Sequence, residues 1–206
     1  MTRVTSVSVC SALLSLLIGF SVSIPALAQQ PSGGDRPVHD YEACVYLLVA
    51  SNDATRGATL PPMLAGVEKQ VLSMVQLGSL RLGTSFVYRV KSFGNIQASG
   101  VTGPVLPITT SASTPAFYSL ALRSIDDSTM TGGKPAINIG RFDFNLRVPI
   151  VAGRVSAEAG SEIQYENVGT STDLRVPVGE PVIASTITTG RPDELFVIVL
   201  LVKALQ

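Results

Sequence analysis

The chain predicts a mostly β fold of the α+β class, an antiparallel two-layer sheet or sandwich with one N-terminal helix packed on it. Beyond residue 80, Val, Ile, Phe and Tyr alternate with polar residues in short runs separated by Gly, Pro, Ser and Asp, the pattern of half-buried strands. Only one stretch after the N-terminus, residues 62–77, carries helical spacing. Strands do not alternate with helices, which disfavours βαβ units and a doubly wound parallel sheet.

The N-terminus reads as an export signal. Arg3 is the only charged residue before Asp35. An apolar stretch from Val7 to Phe20 follows, then Pro25 and Ala26-Leu27-Ala28. A basic start, a short apolar core and an A-x-A site form the secretory pattern, with cleavage expected after Ala28. The core is shorter than the ~20 apolar residues of a spanning helix and is broken by Ser15, Gly19 and Pro25. Three segments follow: a signal at 1–28, a flexible leader at 29–40 and a single β-rich domain at 41–206. No transmembrane helix is expected after signal cleavage, and the expected location is the periplasm or the extracellular space, with outer-membrane association open.

Residues 42–50 favour a strand whose apolar run, Ala43 to Val49, implies burial on both faces. In the helix at 62–77, Pro61 and Pro62 set the first turn, with Thr59 near as a cap. Leu64, Val67, Val71, Met74 and Val75 share a face, and Gly78 stops the helix. Phe86, Tyr88 and Val90 then alternate with Val87, Arg89 and Lys91, and a turn at Phe93-Gly94-Asn95 makes 84–101 a hairpin.

After a loop at 103–115, a strand is expected at 116–125 and a polar turn at 126–135. Ile137 and Ile139 have one parity; Phe142, Phe144, Leu146 and Val148 have the other. A β-bulge at Gly140 reconciles them. Further strands are expected at 161–168, 172–178, 182–188 and 194–204. The last is apolar on both parities, as a central covered strand would be.

No catalytic, metal or cofactor-binding residues emerge. His39 is the only histidine and lies in the leader, where a base or ligand is poorly held. Without the signal, Cys44 is the one cysteine, so no internal disulfide forms and zinc ligands are too few. Asp126 to Thr129 lack the spacing of a calcium loop and read as a solvated turn. Glu158, Glu162 and Glu166 would share one strand face, most simply the solvent face. Fifteen acidic residues balance fifteen basic ones, and the charges are scattered. That gives no footprint for nucleic acid.

The tail, from Thr172, has a strand ending in Val176-Pro177, a Gly179-Glu180 turn, a second strand from Val182, and the apolar run 194–202. This resembles the closing hairpin and terminal strand of the bacterial secretin family. Where that family often ends the second strand with a glycine pair, this chain has Ala184-Ser185. The resemblance implies a non-enzymatic envelope role, in which the domain packs with a secretion or pilus machine by strand pairing. Glu180, Phe196, Ile198 and Val199 are the candidate residues for a protein partner or self-association. If 195–202 is an edge strand, it is an uncharged, sticky one; if it is central, Val199 is core. The alternative function is a small-ligand or lipid binder with its cavity between sheet and helix.

Overall fold

In the computed structural model, residues 37–52, 60–105, 114–154, 161–188 and 194–205 are described. The expected signal, leader residues 29–36, the Thr59 cap and Glu158 lie outside them. In chain order the elements are β1 (Asp40–Ser51), a 3-10 turn (Pro62–Leu64) continuing into α1 (Ala65–Met74), β2 (Ser79–Lys91), β3 (Ile96–Thr102), β4 (Ala116–Thr129), β5 (Pro135–Arg154), β6 (Ser161–Pro177), β7 (Pro181–Thr188) and β8 (Glu194–Ala204). The strands form two four-stranded sheets, ordered β2-β1-β8-β7 and β3-β4-β5-β6. Every strand-to-strand ladder is antiparallel. The fold is thus mostly β with one short helix, as expected, and neither sheet closes into a barrel.

The two strands that are apolar on both parities are the central pair of the first sheet. On β1, Ala43, Val45, Leu47 and Val49 face the second sheet, while Cys44, Tyr46, Leu48 and Ala50 face α1. On β8, Phe196, Ile198, Leu200 and Val202 face the second sheet, and Val197, Val199 and Leu201 face the helix. The layers are therefore helix, sheet, sheet, with an apolar core in each gap. Burying one such side chain contributes about 1.5–3 kcal/mol, so these two strands anchor the fold.

The helix is shorter than its sequence pattern. Leu64, Val67 and Val71 are buried, but Met74 is 68% exposed and Val75 is already extended, with φ −118° and ψ 144°. Past Met74 the chain is extended, and Val75 and Leu77 reach the helix-side core from alternate positions of that extended segment.

The bulge at Gly140 is present. The β5–β6 register shifts between Ile139 and Phe142, so Ile137, Ile139, Phe142, Phe144, Leu146 and Val148 all reach one core. Opposite it on β4, Ser124 takes a positive φ of 53°, and β4 changes phase there too: Leu120 and Leu122 are buried before it, Ile125 after it. A Cβ on Gly140 would stand 3.0 Å from that of Ser124, so the two strands bend together only with glycine there.

Four local expectations are corrected. Residues 84–101 are not a hairpin: β2 and β3 belong to different sheets, and the turn at Phe93 (φ 64°) carries the chain across the sandwich. Asp126 to Thr129 are not a turn but the end of β4, paired with Pro135–Asn138; the turn is at 130–134. The strands expected at 161–168 and 172–178 are one strand, β6, running through Gly169. Glu166 lies on the inward parity of β6 with Val168 and Val176, partly buried, not on the solvent face.

Candidate interaction surfaces

The candidate residues of the tail separate into two environments. Phe196, Ile198 and Val199 are 0% exposed on β8, between β1 and β7. The central reading of this strand holds: their side chains are committed within the chain. Glu180 stays at the surface, in the turn that passes from β6 in one sheet to β7 in the other. Gly179 has φ 86° there, and its N–H donates to the Val202 carbonyl at 2.7 Å, while Val178 N–H donates to Pro135 O at 3.0 Å. Glu180 pairs with Lys134 at 2.9 Å, but both side chains are more than half exposed, so the pair adds little stability.

His39 is not loose. Its N–H donates to Ser92 Oγ and its carbonyl accepts from Ser92 N–H, each at 2.9 Å. Nδ1 lies 2.8 Å from Asp127 Oδ2, and Asp127 Oδ1 accepts the Tyr41 hydroxyl at 2.8 Å. This cluster ties the start of β1 to the end of β4, across the two sheets. Burial, then the neighbouring Asp127 carboxylate, pushes the Tyr41 phenol up to about 12. Together these bonds form a clasp between the sheets. Cys44 is buried, and burial together with Glu42 raises its thiol pKa, which favours the inert protonated form. Among the described residues no group of three acidic, His or Cys side chains could hold a metal, and no helix is long and apolar enough to cross a membrane.

The gap between α1 and the sheet is filled by Leu64, Val67 and Val71 against Leu48, Val197 and Val199, each at most 3% exposed. Among the described residues, the surfaces left open are sheet edges and the outward face of the second sheet. Of the edges, β2 is blunted: Arg81 donates to the Val105 carbonyl at 2.7 Å, and Val105, 2% exposed, packs against the bulge at Gly83. β6 carries Asp173 and Arg175. β3 and β7 have no charge at all. β7 is the stronger strand former, with Val182, Ile183, Thr186, Ile187 and Thr188 all β-branched. Its ladder with β8 shifts between Ile183 and Ser185, at the Ala184-Ser185 position. Among the described residues no strand pairs with its other edge.

No protein-family model matches the chain, and no curated protein matches it. Solved structures of secretins are similar to it. The InvG secretin of the Salmonella SPI-1 type III secretion injectisome aligns at 9% identity over 84% of this chain and 66% of that one, with a TM-score of 0.35. The PilQ secretin of the V. cholerae type IV competence pilus aligns at 12% identity over 82% and 59%, with a TM-score of 0.35. The GspD type II secretin of enteropathogenic Escherichia coli gives 11% identity over 82% and 67%, with a TM-score of 0.34. This chain spans less than two-thirds of the InvG chain, and all three TM-scores fall below 0.5.

Proposed function

We propose that this chain is an exported, secretin-related envelope protein that works without catalysis, by pairing the free edge of β7 with a strand of a second copy or of a partner protein. The carrying observation is the β7 edge: eight residues, no charge, rich in β-branched side chains, beside a central strand buried from Phe196 to Val202. Natural monomers usually blunt such an edge with charge, proline or a covering loop, as β2 is covered here. Pro181 stands at the first position of β7 and leaves the rest available. The residues that carry the secretin resemblance, Val176, Pro177, Gly179, Glu180 and Val182, are those that deliver the chain from β6 to this edge.

Thr186 and Thr188 are exposed on β7, so lysines there leave the core intact and place charge on the edge. Sedimentation of residues 29–206 should show concentration-dependent association for the wild type and a folded monomer for the Thr186→Lys, Thr188→Lys double variant. A wild type that stays monomeric at all concentrations and captures no envelope protein contradicts the proposal.

A further inference from the structure

The outward face of the second sheet has a relief that the association reading does not use. Register places Val101, Phe117 and Arg147 side by side across β3, β4 and β5. Tyr165 completes this ridge: its ring centroid is 5.5 Å from that of Phe117, and the Arg147 guanidinium lies 5.5 Å from the Tyr165 ring and 6.0 Å from the Phe117 ring. The next line inward is low, with Ser99, Ser119, Asn145 and Gly169 in register. A Cβ on Gly169 would collide with the Asn145 side chain, so the glycine lets that amide lie across the sheet. Beyond the low ground, Arg123 stands directly opposite Arg141. A recess of about 390 Å³ lies between, floored by Ser99, Ser119, Ala121 and Asn145 and walled by the two arginines. From Phe117 to Arg123 the strand rise gives about 20 Å.

Charge on this recess is one-sided. Asp143 is its one acid, and it is already held by a bifurcated bond from Arg141 Nε–H, with N···O distances of 3.0 and 2.9 Å, and by the Ser171 hydroxyl. Arg123 is near enough to Asp143 to help hold its carboxyl down but makes no salt bridge to it, and Arg147 lies over two rings with no acid against it among the described residues. Like charges set directly opposite in a ladder are destabilising, and the single carboxylate of Asp143, which attracts both guanidiniums, is what the recess offers to offset the Arg123–Arg141 pairing. Arginines with donors free are suited to bidentate capture of carboxylates, and stacking on aromatic rings pre-orients Arg147 for it.

We propose that this trough binds a linear, carboxylate-bearing polysaccharide, with carboxylates on Arg123 and Arg147 and ring hydroxyls on Ser99, Ser119 and Asn145. Three features select this chemistry. Anchoring cations on both sides of the trough call for a ligand with repeated negative charge. A floor of hydroxyls and an amide matches a ligand dense in hydroxyls, not one with apolar side chains. Phe117, a residue 37% exposed, offers the kind of apolar edge on which the C–H face of a sugar ring packs.

The test is mobility of the full mature chain in native gels at about 0.15 M salt, where charge contacts between exposed groups are already screened. Gels contain alginate, dextran, polyglutamate or single-stranded DNA. Wild type should be retarded in alginate and unaffected by the other three. Arg123→Gln with Arg147→Gln should weaken alginate binding at least tenfold, while Thr186→Lys with Thr188→Lys should leave it unchanged, which separates this site from the β7 edge. No retardation in alginate, equal retardation by polyglutamate or DNA, or full retention by the double arginine variant each overturns the proposal.

Discussion

Phe144 and Arg147 lie on opposite faces of β5, three residues apart, and parity alone separates their energetics. Phe144 is 1% exposed among core side chains of both sheets, so Phe144→Ala should cost about 3–5 kcal/mol. Arg147 sits on the outward ridge, and Arg147→Ala should cost under about 1 kcal/mol, the worth of an exposed cation–π contact. Denaturant melts check both; equal costs would mean the wrong face is buried. This parity was legible in the alternation from 142 to 148. The tyrosines were not, because their partners are remote in sequence. Tyr41 is pushed up to about 12 by burial and by Asp127, and Tyr46 up to about 12 by burial and the Cys44 thiol beside it. A phenol whose folded value lies above its unfolded 10.0 stabilises the fold fully below pH 10, and that stability is lost as pH rises toward 12. Denaturant stability should therefore fall between pH 10 and 12, and Tyr41→Phe should make the fall shallower. An unchanged slope in the variant would contradict the role given to the Tyr41–Asp127 bond.

At the level of elements, long apolar or strictly alternating segments were readable, and connections were not. β1 and β8 announced burial on both faces because each contacts a core on either side, and the Gly140 bulge announced itself as a parity slip. The passage from β2 to β3 reads as a hairpin because its turn chemistry is local, whereas its partners are not: Phe93 N–H donates to the Ile125 carbonyl, on a strand of the other sheet. The polar residues 126–129 read as a turn because their outward side chains meet solvent and, at Asp127, the clasp with His39 and Tyr41. For the same reason the candidate site was only half legible. The apolar run at 195–202 suggests stickiness and core equally, and pairing with β1 on one side and β7 on the other decides for core. Val199→Lys should then unfold the chain, because an unpaired ammonium in a dry layer costs several kcal/mol, a large part of a domain's stability. Circular dichroism of that variant checks it; a folded Val199→Lys chain would mean β8 is not central.

Across the whole fold, among the described residues, the first sheet has a core on both faces and an unpaired edge at β7, while the second has a core on one face. The proposed strand pairing uses the first sheet and the proposed ligand contact the second. Site-specific crosslinking at the β7 edge tests the assignment of pairing most directly. With Cys44 buried, an exposed cysteine at Thr186→Cys is the one thiol available on that edge to a short bifunctional reagent in intact envelopes. The proposal predicts a discrete crosslinked species at Thr186→Cys and none at Asn95→Cys, an exposed position in the turn from β2 to β3. Crosslinks at Asn95→Cys and none at Thr186→Cys would contradict association through β7.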